Sequence, residues 1–127
     1  MAIARDTTAK NIKPLDGAIT RRMTCGATVA AGELVSMQSD GKIDPAITTA
    51  VEVVAGVAIQ AGGDGDTIDV VTHGPVKCLT GATVGAIVYA TDTAGEPGES
   101  AGTKTTIAGW NESATVLFVN PIVVSLA

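Results

Sequence analysis

The chain reads as an all-β protein: a small β-barrel or compact β-sandwich from two related halves, preceded by an extended N-terminal arm. Three observations predict this. Short β-branched runs end at Gly- and Asp-bearing turns, the sequence resembles itself in order along its length, and no stretch of about ten residues carries a 3.6-residue apolar period with caps.

Length and composition set the scale. With 127 residues the chain is sized for one domain. Its hydrophobic fraction is 46%, supplied mainly by Ala and Val, and only Tyr89, Trp110 and Phe118 are aromatic. Burying a Val, Leu or Phe side chain contributes roughly 1.5–3 kcal/mol, so a core short of large residues gains by packing against another copy of itself. Self-association is therefore expected.

The internal similarity begins with Gly26-Ala27-Thr28-Val29, which returns as Gly81-Ala82-Thr83-Val84. It continues with Gly32-Glu33-Leu34-Val35 against Gly85-Ala86-Ile87-Val88, and Ser39-Asp40-Gly41 against Thr93-Ala94-Gly95. Val54-Ala55-Gly56-Val57 answers Ile107-Ala108-Gly109-Trp110, and the segment 69–75 loosely answers 118–121. Most offsets fall between 53 and 55 residues. This places pseudo-repeats at about 24–75 and 79–121 within a single β domain, 17–127, behind an arm of residues 1–16.

Within each copy, strands are expected at 35–38 and 87–90, at 51–59, at 67–72 and 76–80 around Gly74-Pro75, and at 114–119 and 122–126 around Asn120-Pro121. Proline cannot donate to a ladder, so Pro75 and Pro121 are expected at strand starts or edges. Residues 44–50 are the best candidate for one helical turn, and 91–106, small and polar with Gly95, Pro97, Gly98 and Gly102, reads as an exposed excursion.

Candidate chemistry is sparse. His73 is the sole histidine, which excludes His-pair zinc sites; beside Asp69 it is the one conceivable general base, but no nucleophile motif accompanies it. Asp64, Asp66 and Asp69 form the densest acidic cluster, yet Ile68 and the absence of a closing Glu break the calcium-loop spacing, leaving a solvated turn. The glycines near Gly62-Gly63 precede neither a helix nor Gly-Lys-Ser/Thr. Cys25 and Cys78 stand apart without metal-ligand spacing and read as reduced, buried, small hydrophobes. Catalytic, cofactor-binding and metal residues are thus all expected to be none.

Charge is distributed unevenly. Through Arg22, five bases (Arg5, Lys10, Lys13, Arg21, Arg22) face two acids; from Met23 on, three bases face eleven acids, for a net charge of −5. The acidic body argues against nucleic acid. The basic arm is either a solvated tail or a reach toward an acidic surface on a partner. No apolar run is long enough to span a bilayer and no signal-peptide pattern opens the chain, so synthesis in the cytoplasm without a membrane partner is expected. Trp110 stands where the first copy has Val57; it is either a core plug or an anchor at a subunit contact.

Laid out this way, the chain resembles the capsid decoration, or cement, proteins of tailed bacteriophages. The resemblance is carried by the segments 27–35 (Ala-Thr-Val-Ala-Ala-Gly-Glu-Leu-Val), 54–58 (Val-Ala-Gly-Val-Ala), 81–89 (Gly-Ala-Thr-Val-Gly-Ala-Ile-Val-Tyr) and 107–109 (Ile-Ala-Gly). It lies in their order from about Gly17 onward rather than in any one motif. It implies a non-enzymatic homotrimer on the outer capsid surface of a virion, made in the bacterial host, that binds the major capsid protein and bridges capsomers without touching DNA or any small-molecule substrate. On that reading Arg5, Lys10, Lys13, Arg21 and Arg22 meet the capsid, and Trp110, Phe118 and Pro121 meet other subunits. The alternatives are another phage structural module, of tail or baseplate, and a carbohydrate-binding β domain.

Overall fold

The computed structural model describes residues 3–49 and 53–122. Twelve strands follow one another: β1 (Ala4–Arg5), β2 (Lys13–Pro14), β3 (Ile19–Thr24), β4 (Leu34–Met37), β5 (Ile43–Pro45), β6 (Val54–Ala58), β7 (Thr67–Lys77), β8 (Leu79–Thr80), β9 (Ile87–Ala90), β10 (Pro97–Gly98), β11 (Ile107–Asn111) and β12 (Val116–Ile122). A 3-10 turn, Ala9–Asn11, lies between β1 and β2. The main sheet runs β10-β9-β11-β12-β7-β6-β4-β5, all antiparallel and curled into a half-barrel, with β2 and β3 also paired to β7. The protein is all-β, as its short, turn-bounded apolar runs require.

That strand order is a palindrome, and the register repeats with it. In the first half Leu34, Val35 and Ser36 pair with Val57, Gly56 and Val54. In the second, Ile87, Val88 and Tyr89 pair with Trp110, Gly109 and Ile107, each partner 53 positions later and with the same one-residue irregularity. Val57 and Ala58 then pair with Val71 and Val70, while Trp110 and Asn111 pair with Phe118 and Leu117. The offset falls from 53 to 47 here because the turn between β6 and β7 is the longer one. This is why the sequence match of 69–75 with 118–121 looked loose.

The two halves present opposite faces to the core. Leu34, Val57 and Val71 of the first half share the main cluster with Val88, Ala108, Leu117 and Val119 of the second. The other face of the first half, with Val35 and Val70, is covered separately by Cys25, Val29, Ile43 and Ile68. Because a strand alternates its side chains, Val70 and Val71 enter different clusters. Both cysteines are buried and unpaired with each other.

Several expectations change. β7 runs through Gly74-Pro75, with Pro75 paired to Phe118 in mid-strand rather than at an end. The ring is tolerated because the Pro75 carbonyl faces Leu15, whose N–H donates to it at 3.0 Å, where β2 has ended and β3 has not begun. On that edge no ladder N–H is needed from Pro75. Pro121 likewise lies inside β12, beyond the last pair with β7, Val119 with Gly74. Asp44 and Pro45 belong to β5 instead of a helical turn, paired with Ser36 and Val35. The expected strand 122–126 beyond Ile122, and residues 50–52 of the expected helical turn and strand, lie outside the described residues.

The segment 91–106 is clasped rather than free. Asp92 accepts hydrogen bonds from the Thr48 hydroxyl and from the Thr103 N–H and hydroxyl, both at 2.8 Å. Glu99 accepts from the Thr83 N–H at 2.6 Å, the Thr83 hydroxyl at 2.9 Å and Asn111 Nδ2 at 2.9 Å. The N-terminal residues lie along the body: β1 pairs with β8, Ile3 packs on the core, and Ile12 is buried in it.

Candidate protein-binding surfaces

The first surface arises from the mismatch between the halves. Leu34, Val57 and Val71 are 1%, 0% and 0% exposed. Their counterparts Ile87, Trp110 and Phe118 form the uncovered side of the second half, with Ile87 and Trp110 at 47% and 41%. Cross-strand partners stand on the same face of a sheet, so pairing carries the row onward: Ile87 beside Trp110, Trp110 beside Phe118, Phe118 beside Pro75. Trp110 stacks on Phe118 with ring centroids 5.0 Å apart and planes 21° apart. His73 sets its ring edge-on to Phe118 at 5.2 Å, and Ile19, 56% exposed, pairs with His73. Two of the three aromatics of the chain thus stand in one apolar row across five strands.

Of the residues expected at subunit contacts, Trp110 and Phe118 are brought together here. Pro121 is partly exposed further along β12. Ile19 and Ile87 were not singled out from sequence. The signal for Ile87 was its alignment with Leu34; Ile19 had none, because its neighbour His73 is set by the β3–β7 register.

The second surface is basic. Arg5 is committed inside the molecule: its Nε meets Glu96 at 2.7 Å and a guanidinium nitrogen donates to the Ala31 carbonyl at 3.1 Å, with the side chain 15% accessible. Lys10 lies on the 3-10 turn and Lys13 on β2, where it pairs with Lys77. Arg21 and Arg22 lie on exposed β3; Arg22 meets Asp69 at 3.1 Å and stays 63% accessible. Val70 and Val71 pair with both β3 and β6, and Val76 and Lys77 with both β2 and β12. β2 and β3 therefore flank one edge of β7, and Lys13, Arg21 and Arg22 line one margin of the molecule. Lys10, Lys13 and Arg21 have no ion-pair partner among the described residues.

The reactive residue types are otherwise occupied. Asp69 serves Arg22, and Asp66 accepts the Gly63 N–H at 2.8 Å. Lys42 stands 3.8 Å from Asp64. Among the described residues no three His, Cys, Asp or Glu side chains gather at metal-binding distance. Burial pushes the Cys78 thiol up to about 12, with Asp6 adding to it, so the nucleophilic thiolate is suppressed. Burial also raises Cys25, helped by the carboxylates of Asp66, Asp44 and Asp64. Among the described residues Asn111 Oδ1 is buried without a hydrogen-bond partner, although its Nδ2 is doubly engaged by Thr83 and Glu99. Compared with known proteins, the chain matches no protein-family model and no curated protein.

Proposed function

We propose that this chain is a structural subunit of a bacteriophage virion that binds the outer surface of the capsid, self-associates as a homotrimer and stabilises the shell by bridging capsomers. The observation that carries the self-associating part is the row Ile87, Trp110, Phe118 at positions whose counterparts are fully buried in the other half. Two halves stacked by unlike faces form a heterologous contact, which leaves one apolar face open at the end of the stack. The first half caps its open face with Met23, Cys25, Val29, Ile43 and Ile68; the second half has no such cap among the described residues. A second copy of the chain is the occupant proposed for this face, and a closed ring of copies would cover it in each of them.

Capsid attachment rests on the resemblance given above and on the basic margin of Lys13, Arg21 and Arg22. Several weak contacts from a trimer add to tight attachment through multivalency. The test mixes purified protein with expanded, undecorated shells and images them. Ordered density at local three-fold positions is expected. Failure to bind any shell, together with binding to tail assemblies or to a glycan array, would overturn this reading in favour of a tail module or a carbohydrate-binding domain.

A further inference from the structure

We propose that the outer edge of β3 is a docking site for an extended, acidic strand of a partner protein. The proposal deepens the capsid-binding reading, and it rests on that reading only for where the partner strand comes from.

The edge is open by a geometrical argument. Asp69 turns both of its backbone groups away from β3: its carbonyl accepts the Ile59 N–H at 3.1 Å and its N–H donates to Gln60 Oε1 at 2.8 Å. Arg22 is the residue opposite Asp69. The pair is therefore non-hydrogen-bonded, and the N–H and C=O of Arg22 must face away from β7. The pairing is regular from Thr20 to Thr24, so the same holds for Thr20 and Thr24. Cys25 confirms the phase, since its N–H points inward to the Asp66 carbonyl at 2.7 Å. The far end of this edge is taken by β5, since the parallel bridge of Cys25 with Ile43, in which the Gly26 N–H donates to the Ile43 carbonyl at 2.8 Å, turns the Thr24 carbonyl to the Ile43 N–H; among the described residues the N–H and C=O groups of Thr20 and Arg22 are left as an open ladder edge.

Long open edges are ordinarily blunted by proline, a bulge or inward charge. β3 contains no proline, and its irregularity against β7 falls at Ile19/Thr20, before the regular stretch. What β3 carries is Arg21 and Arg22, adjacent and so on opposite faces of the sheet. A second copy of β3 added here would set arginines against arginines, and like charges across a ladder are unfavourable. An acidic strand would find an arginine above and below. The edge is thus closed to self-pairing and suited to an acidic strand, a mode in which main-chain bonds supply affinity and side chains supply selectivity.

The test uses the intact protein and two capped peptides of about six residues, one alternating Thr with Glu and its twin alternating Thr with Lys. Amide exchange is followed by NMR. In the free protein the Thr20 and Arg22 amides are expected to exchange fast while Arg21 and Met23 are protected; the acidic peptide should slow those two by about tenfold or more, and the basic twin should not. Thr20→Pro removes one outward N–H without touching a β3–β7 bond or either arginine and should weaken the protection. The pair Arg21→Glu and Arg22→Glu should reverse the preference toward the lysine peptide. Outer amides already protected in the free protein, or equal protection by both peptides, would overturn the proposal. Peptide docking at β3 with no binding to shells would sink only the capsid reading. Shell binding that leaves the outer β3 amides exchanging freely would sink only the edge proposal.

Discussion

Gly56 and Gly109 are the same residue of the two halves: a Cβ at Gly56 would run into the carbonyl oxygen of Val71, and one at Gly109 into that of Phe118. Val71 and Phe118 are themselves equivalent by register. Each glycine lets β6 or β11 close tightly on the next strand. Alanine at either position is expected to cost about 3 kcal/mol or more, because the obstacle is backbone rather than a movable side chain. At Gly41, where φ is +83° but nothing lies within 4 Å, alanine should cost only about 1 kcal/mol. Urea unfolding of the three variants measures the ranking; a mild Gly109→Ala would contradict the packing described.

Trp110→Glu should abolish self-association while leaving the monomer folded, since the ring is 41% exposed and the covered side of its strand is Ala108 and Asn111. Sedimentation should report monomer mass with a thermal midpoint lowered by only a few degrees, in line with a loss of about 1 kcal/mol from the stacked pair. Val57→Glu, at the equivalent buried position, should not fold.

Arg5→Ala should destabilise by roughly 1–2 kcal/mol, more than an exposed ion pair, because the bridge to Glu96 is sheltered and a carbonyl is also lost. Deleting residues 2–13 would remove β1 and the buried Ile12 and so unfold part of the body as well as removing charge. The electrostatic role of the arm is better read from Lys10→Glu and Lys13→Glu, whose exposed side chains leave the fold alone. Shell affinity that falls in these variants and weakens with salt is the expected result; salt-independent, unchanged affinity would remove Lys10 and Lys13 from the contact.

Acid should loosen the segment 91–106 first. The Thr48 hydroxyl, and then Thr103, hold the Asp92 carboxyl below its ordinary value of 3.8; the Thr83 amide chiefly holds Glu99 below 4.5. A carboxyl lowered on folding stabilises the folded state above its unfolded value and loses that contribution as pH falls through the folded one. The Thr103 and Thr83 amides should therefore lose exchange protection below about pH 4, while Asp92→Asn and Glu99→Gln weaken that protection already at neutral pH.

The thiols give the opposite sign. Cys78, raised to about 12, favours the folded state fully below the unfolded value of roughly 8.5, a contribution lost as pH climbs toward 12. A thiol reagent at pH 8 should label neither cysteine until the protein is unfolded. Rapid labelling of Cys78 in the native protein would show that its burial is breached.

The all-β class and most strands were legible because Val, Ile and Gly sit where period and turn chemistry demand them; the strand Ile87–Ala90 was placed to the residue. The repeated pairing register has its trace in the sequence at Gly56 and Gly109, where a Cβ would meet a facing carbonyl. What was hidden depended on distant partners. β3 has no alternation in Ile-Thr-Arg-Arg-Met-Thr and owes its existence to β7. Pro75 in mid-strand is permitted only by the local gap between β2 and β3. The binding of 91–106 by Asp92 and Glu99 could not be read from a run of small polar residues. Trp110 was recognised as anomalous against Val57, but whether it plugged a core or faced outward depended on which face the second half turned inward.

The docking of the first residues onto the body also orders events in time. Arg5 waits for Glu96, 91 positions downstream, and β1 for β8, so this segment cannot find its place until residues far along the sequence are available to it. Contacts of such long sequence separation are late and slow to close. During that interval Ile3, Ile12 and the core residues they cover are bare, and the chain is at its stickiest before this segment seals it.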